Sequence, residues 1–242
     1  MKLEPPVEVS TEKITLDVRE IEPMLQAPPM DLKPWPGATI ALKDGRTMYI
    51  REAKLEEAPM MMEYVAKVMQ AKHDFYDVVG ARVYAELAGW YRKRLKDPYT
   101  LVGMIDGVWA GFANGRLMSA DINISLHTMA LMRRLRIGAI MYYAKAYYGF
   151  EILGNQEWWA TYESYNGWWR WGLGMAQPSY PWPEYQHELG GARVYYVTKK
   201  YWDTMVKDYV RQLVGADLVF DNIPDEIIKA NENMIVPDEV LV

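Results

Sequence analysis

The sequence predicts a single α/β domain in which helices flank a mixed, mostly antiparallel sheet, with an arm at each end. Three observations predict it: strand-like runs follow one another in mid-chain, helical runs border them, and prolines crowd the beginning. The 242 residues, 50% of them hydrophobic, suffice for one large domain with a core. We therefore expect a proline-rich N-terminal arm over residues 1–45, a domain over 46–214 and an acidic C-terminal arm over 215–242.

The N-terminal arm precedes the first regular elements. Its prolines exclude a long helix or a central strand, while its apolar residues are expected to lie against a surface of this chain or of a partner. After it, residues 47–51 are predicted to form a strand. A helix is predicted over 55–70, with Pro59 in its first turn, where proline is tolerated, and a second helix over 81–96.

Three consecutive strands are predicted in the middle of the chain. Residues 99–105 and 108–117 flank Asp106-Gly107, a two-residue turn that favours a hairpin because both positions accept positive φ. Residues 122–128 form the third strand. The predicted order then becomes helix, strand, short helix, strand and helix, over 137–149, 157–163, from Asn166, 192–201 and 202–214. The helix between two strands indicates a crossover, which makes the sheet mixed.

Composition and charge limit the function. The absence of cysteine removes disulfides, thiolate ligands and cysteine nucleophiles, and with only three histidines no metal is expected. A net charge of −5 argues against a general nucleic-acid binder, which must neutralise many phosphates. No apolar run approaches the ~20 residues that span a bilayer, and the N-terminus carries acidic residues and prolines instead of a signal peptide. We expect a soluble, cytoplasmic protein with no nucleic-acid or membrane partner.

One short segment concentrates positive charge. Arg133, Arg134 and Arg136 lie where a strand-like run gives way to a helix. The first N–H groups of a helix have no partner within it, and the helix dipole is positive there. Such a helix start binds anions, phosphate above all. The segment therefore predicts a phosphate site in an otherwise acidic chain.

The spacing of residues in and after this segment carries a family resemblance. Arg133, Arg136 and Gly138 stand three and two positions apart, between a strand and a helix, and Asn166 opens a later helix after another strand. This arrangement resembles the GNAT superfamily of acyl-CoA-dependent N-acyltransferases, whose signature is Gln or Arg, two residues, Gly, one residue, then Gly or Ala. By order of elements the resemblance covers residues 47–201, with Gly174-Met175 in place of the family's Gly-aromatic pair.

The resemblance implies a GNAT-like domain that transfers an acyl group from acyl-CoA to an amine. Acetyl-CoA is the expected co-substrate, and the amine acceptor is a small molecule or a protein. The CoA pyrophosphate is expected at the helix start, where glycine keeps the backbone accessible. The residues expected to bind the cofactor are Thr128, Met129, Arg133, Arg134, Leu135, Arg136, Ile137, Gly138, Ala139 and Asn166.

Arg136 departs from the family signature, because it stands where the first glycine is usual. Two outcomes are open. Either its side chain swings aside and adds a charge-assisted hydrogen bond to phosphate, or it fills the site and prevents CoA from binding. The residue therefore divides an enzyme from a non-catalytic relative.

Catalytic roles follow from the same resemblance. A backbone N–H near Thr128 or Met129 is expected to polarise the acyl carbonyl, and Glu163 to deprotonate the amine, with His127 as a second candidate that acts directly or through water. The family often uses a tyrosine about two helical turns after the Asn to protonate the leaving thiolate. No tyrosine lies there, so the expected donor is Tyr165, with Tyr180 and Tyr185 as alternatives.

A tryptophan-rich stretch follows the helix crossover. Trp158 and Trp159 are expected to cover the two faces of a buried strand. For Trp168, Trp169 and Trp171, a pocket or partner surface and a core position remain equally open. The alternative function is a non-catalytic GNAT-like subunit or scaffold, in which the arms and this surface bind a protein partner or a second copy. The proline-containing loop over 177–191 is interpreted as a lid or a subunit interface.

Overall fold

The computed structural model describes residues 22–27, 31–71, 76–172, 175, 177–178 and 194–240. Eight strands form one sheet in this part of the chain. They are Ala38–Ala41 (β1), Thr47–Glu52 (β2), Pro98–Ile105 (β3), Val108–Leu117 (β4), Ile122–Ala130 (β5), Glu157–Ala160 (β6), Gln177–Pro178 (β7) and Tyr195–Thr198 (β8).

Seven α-helices lie in the described part of the chain, and four of them have eight residues or more. The α-helices are Ala58–Val68 (α1), Tyr76–Tyr91 (α2), Ile137–Tyr147 (α3), Tyr165–Gly167 (α4), Lys199–Tyr201 (α5), Lys207–Val214 (α6) and Asp225–Ala230 (α7). A 3₁₀ turn over Leu55–Glu57 leads into α1. Wider π-helical turns over Tyr148–Ile152, Trp168–Gly172 and Trp202–Val206 extend α3 and α4 and join α5 to α6.

The sheet is mixed and mostly antiparallel, which confirms the predicted fold class. Its strand order is β1-β2-β3-β4-β5-β6-β8-β7, and only the β5–β6 pair is parallel within the described sheet. This pair is connected by the crossover through α3. The predicted hairpin is also confirmed, because Asp106 and Gly107 have φ values of 52° and 82° between β3 and β4.

The parallel pair separates partway along its length. Ile122 to Ser125 on β5 pair with Glu157 to Ala160 on β6, where β6 ends. β5 runs on to Ala130 without β6 beside it. A wedge-shaped opening therefore forms between the second half of β5 and the segment that follows β6.

Helices cover both faces of the sheet. α3 and α6 pack on one face in the larger core cluster, which includes Met141 and Val210. α1 and α2 pack on the other face in a cluster that includes Tyr64. Neighbouring strand residues such as Leu101 and Val102 belong to different clusters, as side-chain alternation along a strand requires. The start of α3 is thereby fixed against the sheet at the wedge.

The sheet begins inside the segment predicted as the N-terminal arm. β1 is an edge strand, a position that the prolines before it permit. Trp35 is buried, and its indole N–H donates to the carbonyl of Ile50 at 2.9 Å. Of the predicted arm, residues 31–45 therefore lie against the chain's own domain.

The acidic C-terminal segment is also held on the domain. Val219 and Thr39 exchange backbone hydrogen bonds of 2.8 and 2.9 Å, and Ile235 extends the edge of β4 beside Val108. Arg51 pairs with Glu57 and donates to the carbonyl of Asn231 at 2.9 Å. The segment predicted as an acidic arm is therefore held on the domain at these positions.

Some element bounds differ from prediction for local reasons. The second helix covers α2 rather than 81–96, because Lys93 and Asp97 adopt positive φ and end it early. The strand predicted over 157–163 stops at Ala160. The late strand stops at Thr198, whose hydroxyl accepts the Tyr201 N–H and caps α5. None of the helices in the described ranges is both long and apolar enough to cross a bilayer.

Candidate active site

The wedge between β5 and the segment after β6 opens into a cleft of about 430 Å³, within the range of small-molecule sites. The start of α3 closes one end, and the segment that enters α4 forms one wall. Its lining includes Thr128, Arg133, Arg134, Arg136, Gly138, His127, Tyr142, Lys145, Tyr162, Glu163, Asn166, Arg170 and Trp171. We call this space the cleft.

The arginine turn, residues 133–139, forms the end of the cleft at α3. Arg134 and Arg136 adopt positive φ values of 67° and 61°, which are strained for residues other than glycine. The Ile140 N–H donates to the Arg136 carbonyl at 3.0 Å and starts the helical bonding, so the earlier N–H groups of α3 have no partner within the helix. Alternating positive φ with a helix start produces a concave set of amides suited to an anion.

Gly138 keeps the backbone of this turn accessible. A methyl group placed on it would meet only the Cβ of Ala130, at the ordinary contact distance of 3.8 Å. The surrounding protein therefore does not require glycine here. The space beside the backbone belongs to the cleft, and a phosphate can approach the amides of the first helical turn through it.

The Arg136 side chain reaches toward the end of α6 at the border of the cleft. Its Nη1 donates to the carbonyl of Leu213, one of the last carbonyls of that helix. A cation at a helix C-terminus also interacts favourably with the helix dipole. Arg136 therefore swings aside, as the first alternative requires, but its partner is a carbonyl.

The other arginines of the cleft are exposed. Arg133 lies over the ring of Tyr76, with its Cζ 5.1 Å from the ring centre. Arg134 and Arg170 border the cleft from the turn and from the end of α4. Positive charge thus surrounds the amides of the turn, which favours an anionic ligand.

One amide of β5 is directed into the cleft. The His127 N–H donates to Asn114 Oδ1 and the Leu131 N–H to the Ala110 carbonyl, both at 2.8 Å and both toward β4. Amides along a strand point alternately to its two sides. The Met129 N–H therefore points to β4, and the Thr128 N–H points away from β4 into the opening.

An acid–base cluster, made of Glu86, His127 and Glu163, lies along the same opening. His127 is only 6% exposed, and its Nδ1 is 3.0 Å from Glu86 Oε2. Its Nε2 is 3.7 Å from Glu163 Oε2. Glu163 follows the end of β6 and forms an ion pair with Arg82 of α2. Across the described ranges no group of His, Asp and Glu side chains has the arrangement of a metal site.

Lys145 lies behind the acid–base cluster on α3. It is 1% exposed, and its Nζ donates to the carbonyl of His127 at 2.9 Å. Burial lowers the pKa of Lys145 from 10.5 to about 7, although the nearby carboxylates of Glu86 and Glu163 oppose this shift. An amine in this environment changes its charge near neutral pH.

Comparison with known proteins finds similarity to solved structures alone. No family model and no curated protein matches the sequence. RimJ from Mycobacterium smegmatis, solved in complex with CoA-disulfide, is 12% identical with a TM-score of 0.51, over 76% of this chain and 97% of that chain. An uncharacterized protein from Bacillus halodurans has the same identity and TM-score, over 76% and 99%. The GNAT domain of S. lividans PAT is 12% identical over 67% and 97%, with a TM-score of 0.49.

The chain has the GNAT fold. In this fold the cleft at the separated strands and the arginine turn at the helix start occupy one continuous surface. The fold predicted from the order of elements is therefore confirmed.

The structure brings most of the predicted site residues together. Of those expected to bind the cofactor, all line the cleft except Leu135, which is half-buried against the core. Glu163 and His127 line it as well. Tyr165 does not: it is 59% exposed and stacks on Trp169, so its position does not support a role as proton donor. Tyr180 and Tyr185 lie outside the described residues.

Two other tyrosines line the cleft of this GNAT-fold chain. Tyr142 of α3 and Tyr162 after β6 are both buried enough to raise the pKa of their hydroxyls, that of Tyr142 well above its ordinary value. Both hydroxyls therefore carry a proton at neutral pH, although a raised pKa makes each a weaker acid than an exposed tyrosine. Neither position follows Asn166 in sequence, which is why the family spacing does not find them.

The tryptophans divide as follows. Trp158 packs in the larger core cluster and Trp159 in a smaller one, so the two cover opposite faces of β6, as predicted. Trp171 lines the cleft and stacks on Tyr142 with ring centres 4.1 Å apart. Trp168 donates to the Tyr195 hydroxyl, and Trp169 is exposed. The loop over 177–191 lies almost entirely outside the described residues.

Sequence reasoning missed Glu86, Lys145 and Tyr142. Lys145 had a signal, because it is the charged residue in the otherwise apolar helix α3. Glu86 had none, since α2 carries charges on its exposed face and only the tertiary structure shows which of them turns inward. The fold brings α2 against β5 and thereby places the Glu86 carboxylate behind the His127 ring.

Proposed function

We propose that this protein is an acyl-CoA-dependent N-acyltransferase that passes an acyl group, acetyl by our expectation, directly to an amine. The observation that carries the proposal is that one cleft joins an anion site at a helix start to a buried imidazole–carboxylate cluster. The solved RimJ complex, in which a similar fold holds CoA-disulfide, supports the choice of CoA. The two features together, an anion site and an acid–base cluster, distinguish this function from simple anion binding.

The residues of the cleft suit the parts of acyl-CoA. The amides at the start of α3, with Arg133 and Arg134 beside them, are placed to bind the pyrophosphate, and Gly138 leaves room for it. The unpaired edge of β5 leads from there into the wedge. The Thr128 N–H is placed to donate to the thioester carbonyl, which stabilises the negative charge that develops on its oxygen.

Proton transfers fall to the interior of the cleft. Glu163 and His127 are placed to take a proton from the ammonium form of the acceptor. Tyr142 and Tyr162 line the cleft and are the candidate donors of a proton to the leaving thiolate. The acceptor, a small molecule or a protein, is a protonated amine, and the carboxylates of the cleft attract its positive charge.

Arg136 no longer favours a non-catalytic scaffold. Its side chain bonds the Leu213 carbonyl, which supports the alternative in which the phosphate site stays accessible. A cytoplasmic location, an oligomer or partner held by the arms, and the domain limits at residues 45 and 214 stay predictions.

Thiol release tests the proposal. The protein is incubated with acetyl-CoA and a panel of amines such as spermidine, tyramine and a short peptide, and free CoA is measured with a thiol-reactive dye. The chain has no cysteine, so the protein adds no background. We expect amine-dependent release, reduced about 10²-fold or more by His127→Ala and unchanged by the control Tyr165→Phe. Acetyl-CoA binding without any amine-dependent release would favour the scaffold.

A further inference from the structure

We infer that His127 is the base that takes the proton from the amine, that Glu86 positions it, and that Glu163 anchors the ammonium group of a primary amine. The inference rests on the proposed function and deepens it. It reverses the order of the two candidate bases given by the sequence. Its grounds are the hydrogen bonds around the imidazole, which assign each group of the acid–base cluster a different role.

Glu86 fixes which imidazole nitrogen carries a proton. It lies on α2, behind the His127 ring, while His127 itself lines the cleft. An ionised carboxylate only accepts hydrogen bonds, so Nδ1, at 3.0 Å from Glu86 Oε2, carries the proton. Nε2 is then left with a lone pair, which is the form that a base requires.

Asn114 ties Glu86 to the strand that carries His127. Its Oδ1 accepts the His127 backbone N–H at 2.8 Å, and its Nδ2 donates to Glu86 Oε2 at 2.7 Å. The register between β4 and β5 shifts at this point, which turns the Asn114 side chain toward His127 instead of a regular partner. Backbone, ring and carboxylate are thus held in one rigid arrangement.

The other imidazole nitrogen has no partner in the described part of the chain. Nε2 of His127 is buried, and the nearest carboxylate oxygen, Glu163 Oε2, is 3.7 Å away. Two acceptors do not bond each other, but a donor with several N–H groups satisfies both. A primary ammonium group has three such donors. The gap between Nε2 and Oε2 therefore suits an ammonium group with at least two N–H donors, such as that of a primary amine.

Glu163 suits the role of anchor better than that of base. Its Oε1 is occupied by the guanidinium of Arg82 and lies 3.5 Å from the Thr161 hydroxyl, which fixes the carboxylate. Its Oε2 remains directed to the gap. A carboxylate held in this way attracts and orients a cation, while the proton passes to the imidazole beside it.

The step balances without any further reagent. His127 Nε2 takes one proton from the ammonium, and the freed nitrogen lone pair attacks the thioester carbonyl carbon. The new C–N bond forms as the C–S bond breaks, and the electron pair leaves with the CoA sulfur. The thiolate takes a proton from the Tyr142 or Tyr162 hydroxyl, the second proton of the nitrogen replaces it there, and the proton on Nε2 returns to solvent.

Charged and titratable groups from three elements face His127. α2 contributes the carboxylate of Glu86 and, through Glu163, the guanidinium of Arg82. The segment after β6 contributes Glu163 itself. α3 contributes the amine of Lys145, which bonds the His127 carbonyl. Of these, only Glu86 contacts Nδ1, so the proton position on the ring reports Glu86 directly.

Nitrogen NMR of the histidine rings tests the inference without any assay of activity. The chain has three histidines, and a His127→Gln spectrum assigns the one of interest. We expect a protonated Nδ1 and a bare Nε2 in the wild type at slightly basic pH. Glu86→Gln should populate the opposite form, because an amide can also donate to Nδ1. The control Glu63→Gln, an exposed carboxylate on α1, should change nothing.

Kinetics completes the same experiment. Glu86→Gln should lower kcat at least tenfold with little change in the KM for acetyl-CoA, while Glu163→Gln should chiefly raise the KM for the amine. An active enzyme whose ring form and kcat are unchanged by Glu86→Gln overturns this inference alone. A wild type that binds no acetyl-CoA overturns the proposed function and the role of His127 with it.

Discussion

The two ends of the cleft are built in opposite ways. The arginine turn is one continuous segment in which backbone amides alternate with arginines whose side chains are exposed. The acid–base cluster joins side chains from α2, from β5 and from the segment after β6, with little exposure to solvent. An anion site can therefore be formed by residues close in sequence, whereas a site for proton transfer requires burial and hence the whole fold.

The largest effect is expected from the buried amine behind the acid–base cluster. Since the pKa of Lys145 is about 7 in the folded protein and 10.5 ordinarily, the unfolded chain binds more protons between these values. The free energy of unfolding should therefore rise with pH across this window, by about 3 kcal/mol over two pH units. Below a pH of about 7, Lys145 is protonated in both states and adds no pH dependence. Urea unfolding from about pH 6 to about pH 9 measures the change.

Lys145→Met is the matched control for that slope. It conserves most of the side-chain volume and removes the titrating amine, so the extra rise with pH should disappear. Parallel curves for the wild type and this variant would show that Lys145 is solvated, and the contrast between a buried cluster and an exposed turn would lose its main support.

A smaller effect is expected in the arginine turn from a pair of glycine substitutions. Arg134 and Arg136 both have positive φ, so glycine relieves the backbone similarly at each, and the variants differ only in the lost side chain. Arg136→Gly should leave acetyl-CoA affinity within about threefold, since its guanidinium bonds Leu213, while Arg134→Gly should weaken it about fivefold or more.

Calorimetry with acetyl-CoA and thermal unfolding of both variants measure this pair. Unfolding separates the two roles further, because only Arg136→Gly removes a hydrogen bond at the end of α6. If affinity for acetyl-CoA falls for Arg136→Gly and not for Arg134→Gly, then Arg136 and not Arg134 binds the ligand. The roles given to the two arginines must then be exchanged.

Much of the fold was predictable because its signals are local. The Asp106-Gly107 turn fixes a hairpin through φ alone, and the helix after Arg136 begins where the arginines and Gly138 indicate. Edge strand β1 was missed because prolines around it conceal a strand that pairs on one side only. The docking of the C-terminal segment depends on contacts such as Thr39 with Val219, which are too far apart in sequence to be inferred.

In the candidate site, too, the residues with a local signal in the sequence could be predicted and those placed by distant contacts could not. The residues of the arginine turn could be named from spacing, and Glu163 and His127 from their places at the ends of strands. Tyr165 was chosen for its position in sequence, yet α4 directs it to solvent. Glu86 could not be found, because its role follows from the packing of α2 on β5 and from a register shift at Asn114.

The most direct test of the central claim, that the arginine turn holds the CoA pyrophosphate, is a calorimetric titration of acetyl-CoA into the wild type, Gly138→Ala, Gly138→Trp and the surface control Lys67→Trp. We expect saturable binding by the wild type and Lys67→Trp, and weaker binding by Gly138→Ala despite equal or greater thermal stability, since its methyl meets only Ala130. Binding by Gly138→Trp should be lost. Equal affinity of Gly138→Trp and the wild type, or no binding by the wild type at millimolar ligand, would contradict it.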